Sequence, residues 1–189
     1  NEGLIDPDKV IAATFDAARK ALDAVKMDSM REIRLDNVEF LLPQQGDVKS
    51  IKVANAVVAQ TGVEQMQFTS TMDVDGRALT LEAAASGDPD TKLVKALSAN
   101  VALAERDVSD GSSPSGSKLG AVQLRISGDE NTGDKPSRLE VSLSSARSVL
   151  DLGPRGALPA DVEMQAKLET GANKLAIDRL LVTTGRSTF

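Results

Sequence analysis

Gln67-Phe-Thr-Ser-Thr-Met-Asp-Val74 and Arg77-Ala-Leu-Thr-Leu-Glu-Ala-Ala-Ala85 flank the dipeptide Asp75-Gly76. Both arms alternate apolar with polar or small residues, the period of a strand covered on one side and wet on the other. Asp-Gly tolerates the positive φ that a tight hairpin turn demands, so the two arms pair as an antiparallel hairpin. Upstream, Ile33 and Leu35 alternate with Arg34 and Asp36. After a turn-forming Asp36-Asn37 the alternation resumes as Val38, Phe40 and Leu42, up to Pro43 and the polar Gln44-Gln45-Gly46-Asp47. Ile51-Lys-Val-Ala-Asn-Ala-Val-Val58 is a further strand. The order is that of a meander.

Downstream, alternation marks strands at Ala121–Ser127, Arg138–Ser144, Asp161–Glu169 and from Lys174 to Thr183. Ala146-Arg-Ser-Val-Leu150 reads as a short helical turn before Gly153-Pro154. Asp88-Pro89-Asp90 carries helix-start chemistry, yet Leu97, Ala99, Val101 and Leu103 alternate as a strand. The expectation is a short helix over 89–96 followed by a strand to about Val108. Asp107 to Lys118 is rich in Ser, Gly and Pro and cannot bury apolar surface, which predicts a mobile loop over 107–118. A weak internal repeat underlies the strands: Ile33-Arg-Leu-Asp-Asn-Val38 returns as Ile51-Lys-Val-Ala-Asn-Ala-Val57 and as Leu175-Ala-Ile-Asp-Arg-Leu-Leu-Val182. In each copy the apolar face shifts across a bulge-like step at the Asn or Arg.

The chain opens differently. Asp6-Pro7-Asp8 offers an N-cap acceptor, a proline preset for the first helical position and an acid favoured by the helix dipole. Ile11, Phe15, Ala18, Leu22 and Val25 then recur at helical steps, predicting an amphipathic helix over 7–27. Its mixed charges and lack of Trp favour packing on a sheet over lying on a membrane. The fold expected is therefore mainly β with an N-terminal amphipathic helix. Residues 1–30 pack on a β-rich segment, 31–189, whose meander strands form a curved antiparallel sheet, a groove or a sandwich.

Composition narrows the chemistry. Among 189 residues there is no His, Cys, Trp or Tyr, and the aromatics are Phe15, Phe40, Phe68 and Phe189. Thiol and imidazole chemistry is excluded, and with it Cys/His zinc sites, Ser-His pairs and disulfides. Lys and Arg number 22 against 28 Asp and Glu, a net charge of -6. An acidic chain with almost no stacking side chains is a poor partner for nucleic acid. No apolar run reaches the roughly 18 residues that mark a membrane-crossing helix, and the first residues lack the basic flank and apolar core of a signal peptide. The chain reads as a piece of a longer protein.

The candidate chemical sites fail on geometry. Asp129-Glu-Asn131-Thr-Gly133-Asp134 with Glu140 loosely resembles a calcium loop, but the Gly is one position early and Glu140 falls in a strand. Asp73 and Asp75 flank a tight turn without a further ligand. The serines at 142, 144 and 145 have no base, and Gly116-Ser117-Lys118 lacks phosphate-loop spacing. No catalytic residue, metal ligand or cofactor site follows, so the expectation is a protein that is not an enzyme. A carboxylate-only glycosidase would want aromatic platforms and a placed acid pair that the chain does not single out.

What remains is the aliphatic face. Its in-facing candidates are Ile33, Leu35, Phe40, Ile51, Val53, Phe68, Met72, Leu79, Leu81, Val122, Leu124, Ile126, Leu139, Val141, Leu143, Val162, Met164, Leu168, Ile177 and Leu180. They either fill a closed core or line an open groove, and with so few aromatics a groove would suit flexible acyl chains better than rings or sugars.

The runs Ile33-Arg-Leu-Asp-Asn-Val-Glu-Phe40, Ile51-Lys-Val-Ala-Asn-Ala-Val-Val-Ala59 and Met72 to Gly87, with the ending Ala176 to Phe189, resemble the AsmA-like family of Gram-negative envelope proteins. The resemblance covers about residues 31–87 and 160–189, in rhythm rather than in invariant residues. It implies a periplasmic segment tethered to the inner membrane by a helix upstream of Asn1. It also implies a long curved sheet whose concave apolar face carries phospholipid acyl chains toward the outer membrane, with other envelope proteins as partners. The helix over 7–27 and the Ser/Gly-rich loop depart from a simple repeating groove. The rival expectation is a structural or adhesion-type β-sandwich that binds a protein partner.

Overall fold

A computed structural model of the chain describes residues 6–25, 31–44, 47–74, 76–105, 120–131, 135–151, 157–171 and 176–184. One helix, α1 (Pro7–Val25), precedes β1 (Glu32–Gln44), β2 (Asp47–Gly62), β3 (Gln65–Val74), β4 (Arg77–Gly87), β5 (Val94–Leu103), β6 (Ala121–Asp129), β7 (Arg138–Asp151), β8 (Ala157–Glu169) and β9 (Ala176–Thr184). The nine strands form one curved, open antiparallel sheet in which spatial order equals chain order. Among the described residues its free edges are β1 and β9.

The α1 boundary follows from capping. Asp6 Oδ1 accepts from the backbone N–H of Asp8 at 3.2 Å and of Lys9 at 3.4 Å, satisfying donors that a helix start leaves unpaired. Lys20 hydrogen-bonds and pairs with Asp16 one turn back, at 2.7 Å, holding the Asp16 carboxyl below its usual value. The apolar stripe Ile11, Phe15, Ala18 and Leu22 is buried against Ala85, Val94, Leu139 and Leu168. Those residues belong to β4, β5, β7 and β8, so α1 lies as a crossbar over one end of the sheet. Polar ties fix it at both sides. Gly171 N donates to Asp8 Oδ1 at 2.9 Å beyond β8, and Arg19 pairs with Glu130 beyond β6. Glu130 in turn accepts from Val94 N at 3.0 Å.

Three sequence expectations are corrected. Asp36-Asn37 is no turn: β1 runs straight through, with Asn37 at φ 55 and the opposing β2 register slipping between Val53 and Asn55. Asn55 Nδ2 donates to Asp36 Oδ1 at 2.7 Å across the β1–β2 ladder, whose register is unbroken there. No helix forms over 89–96. Asp88 Oδ1 accepts from Asp90 N at 2.9 Å and Thr91 N at 3.1 Å, Lys92 turns back at φ 61, and β5 begins at Val94. Ala146–Leu150 is likewise strand, with a bulge at Arg147 (φ 57) and the buried Ser148 hydroxyl 2.6 Å from that of Ser145. The expected loop at 107–118 and Asp75 of the hairpin turn lie outside the described residues. Gly76 does adopt φ 75, and its N–H is taken by Asp73 Oδ1 at 3.0 Å.

Candidate functional site

The register places every aliphatic candidate named from sequence on one face. Because strand pairing is sequential, the inner face resolves into rows that cross all or most of the sheet. One row runs Ile33, Val58, Phe68, Ala83, Ala99, Ile126, Val141, Ala166, Ile177. The next runs Leu35, Ala56, Ser70, Leu81, Val101, Leu124, Leu143, Met164, Leu180. A third carries Val53, Met72, Leu79, Leu103, Val122, Ser145, Val162 and Val182. Phe40 and Ile51 lie beyond it at the β1–β2 corner, whereas Leu139 and Leu168 lie under α1. The left-handed step at Asn37, the β2–β3 register shift between Val53 and Asn55 and the β8–β9 shift beside Ile177 keep the apolar residues on this face where strict alternation would have turned them outward.

Burial is graded along the face. Under α1 the side chains are closed off, but no second layer covers the rest among the described residues. Along β3, β4, β6 and β7 the inner-face candidates away from α1 are half-buried. At the free edges they are open: Ile33 and Leu35 are 44% exposed, Phe40 47%, Ile177 53% and Leu180 63%. Single exposed apolar side chains are ordinary, but a continuous aliphatic floor across a whole sheet is not.

Where α1 meets the uncovered floor there is a hollow of about 480 Å³, between Ala13, Thr14, Ala17 and Ala21 of the helix and Met66, Ala83, Leu97, Ala99 and Ile126 of the sheet. That lies within the range of about 300–1,000 Å³ typical of small-molecule sites. Small side chains on both walls create it. The sequence reading missed Ala83, Leu97 and Ala99: alanine carries little alternation signal, and the β5 residues were obscured by the helix-like Asp88-Pro89-Asp90.

The outer face is polar and carries cross-strand ion pairs, Arg138–Glu169 at 3.0 Å, Lys167–Asp178 at 3.3 Å and Arg179–Glu163 at 3.5 Å. Among the described residues no group of three or more acids could hold a metal. Asp129, from the calcium-like stretch, takes a hydrogen bond from Asn131 instead, and Glu140 faces Lys167 at 3.9 Å. No described helix is long and apolar enough to cross a membrane. Compared with known proteins, the chain matches no family model, no curated protein and no solved structure.

Proposed function

We propose that the chain is a non-enzymatic, periplasmic segment of an AsmA-like envelope protein, and that its inner face shelters phospholipid acyl chains during transfer toward the outer membrane. The observation that supports this most is the aliphatic floor, continuous from β1 to β9 and, among the described residues, overlaid by a second layer at one end only. Such a surface contacts hydrocarbon without asking for hydrogen bonds, and each methylene moved onto it from water is worth about 0.8 kcal/mol. The rival sandwich needs a second sheet to close its core, and the described strands form one sheet.

Lipid extraction and native mass spectrometry of the purified chain test the reading. Phospholipid should co-purify, or bind when added from detergent, and Leu143→Glu with Met164→Glu should abolish it by placing carboxylates side by side on the floor. A stably folded chain that neither carries nor acquires lipid would refute the function.

A further inference from the structure

The two ends of the uncovered floor differ in chemistry. At one end stands the hollow beside α1, bordered by Thr14, Ala17 and Ala21, and these share with Val10 one helical flank that is free of charge. The opposite flank carries Asp8, Asp16, Arg19 and Asp23. Val10 is exposed despite being apolar, and Ala13 and Ala17 are exposed with it. A helix packed only to cap a sheet would place charge on both wet flanks.

At the other end of β4, Arg77 occupies an inner-face position, paired in register with Val74 and in line with Leu79, Leu81 and Ala83. Its guanidinium donates from Nε to Ala104 O and from Nη2 to Gly120 O, both at 2.8 Å, neutral acceptors that anchor the cation without pairing its charge among the described residues. The nearby Glu105 carboxylate is engaged by Arg147 at 3.0 Å. From Ala83 to Arg77 is six residues, about 20 Å along the strand. A disordered acyl chain fills about 15 Å of depth in one leaflet of a bilayer and is longer when extended, so an extended long-chain acyl group whose end enters the hollow brings its head to the guanidinium.

We infer that the floor of β3–β6 binds one amphiphile in a fixed sense, its methyl end in the alanine-walled hollow beside α1 and its anionic head at Arg77. The occupant is an unbranched acyl chain bearing a carboxylate or phosphate, because the hollow offers no hydrogen-bonding partner beyond Thr14, whose hydroxyl already donates to Val10 O at 2.8 Å. This rests on the acyl-chain reading above and adds to it a direction, a length limit and a charge preference.

The test is competitive binding of stearate, decanoate and uncharged monostearoylglycerol to the full chain, followed by native mass spectrometry. Each buried methylene changes affinity roughly fourfold, so the parent should prefer stearate to decanoate by at least about tenfold. Ala17→Leu with Ala21→Leu, which fills the hollow from the helix, should erase that preference. Ala99→Leu, which fills it from the floor, should do the same and guards against a helix-specific artefact. Arg77→Met should cost stearate about tenfold and leave monostearoylglycerol unchanged, and Arg77→Lys should restore stearate. Lipid binding with a length preference that survives both fillings, or a charge preference that survives Arg77→Met, overturns the assigned direction while leaving the sheltering function standing. Failure of the parent to bind any of the three probes overturns both.

Discussion

Replacing Phe15 with Ala would loosen α1 from the sheet without unfolding the strands. Phe15 is 1% exposed and sits at the centre of the stripe that meets Ala85, Val94, Leu139 and Leu168. Full burial of an aliphatic or aromatic side chain is worth about 1.5–3 kcal/mol, so Ile11, Phe15 and Leu22 together hold the helix with roughly 5–9 kcal/mol. Truncating a buried Phe to Ala costs about 3–5 kcal/mol, since the cavity adds to the lost transfer energy. About half of the docking energy would go, and most of a helix's stability in a protein comes from packing its amphipathic face. The strand ladders do not depend on it, because each strand pairs only with its chain neighbours. Native-state hydrogen exchange should therefore show α1 amides losing protection by two to three and a half orders of magnitude, roughly the equivalent of that energy. Amides in the middle of β2, β3 and β4 should change far less. Equal loss in helix and strands would show that the molecule opens as one unit and refute the partition.

Further outcomes follow from the polar ties and close approaches. Asp88 is held at about 2, below its ordinary 3.8, by the N–H of Thr91, a hydrogen bond from Lys95 and the N–H of Asp90. Its stabilising contribution is thus complete above its unfolded value near 4 and lost as pH falls through about 2. Asp88→Asn should flatten that acid limb in pH-dependent urea melts, and carboxyl NMR should titrate Asp88 with the stated midpoint. Glu130→Ala removes the acceptor of both Arg19 and Val94 N, and should cost about 1–3 kcal/mol in urea denaturation. Lys20→Ala, at an exposed pair, should leave the urea midpoint nearly unchanged. Gly120→Ala should destabilise by about 1–3 kcal/mol or more, since a Cβ there would lie 2.0 Å from Ala146 O. A melting temperature unchanged in Gly120→Ala would show that this backbone can yield.

The β3–β4 hairpin was legible because its signals agree: clean alternation, a turn dipeptide and branched or long side chains on one face. The α1 stripe was legible for the same reason. Failure came where one local motif serves two structures. Asp88 accepting from the N–H groups two and three residues on is the opening of a helix and equally of a tight turn. What decides is Glu130, whose backbone N–H bonds Val94 O at 2.9 Å and whose carboxylate takes Val94 N, drawing the chain into a strand from a partner 36 residues away. Asn37 and Arg147 show the same limit from another side. Residues at positive φ inside a continuous ladder leave no mark in alternation beyond a missed beat, which looks like a turn or a helical step. As for the site, the floor could be read from sequence, but the hollow could not: it is made by alanines on two elements that meet only after α1 crosses the sheet.

The sequential strand order has a consequence for how the molecule is made. Every strand can pair with its predecessor soon after it leaves the ribosome, each hairpin closing in about 1–10 μs. The helix cannot finish so early. Its tie to Glu130 spans 111 residues and its tie to Gly171 spans 163. At about 5–20 residues per second the second interval is roughly 10–30 s of synthesis. During that time Ile11, Phe15 and Leu22 have no completed seat, so the helix, made before any of the described strands, is settled after them. A factor that guards the nascent chain has in this stripe a target that persists until the last strands are made.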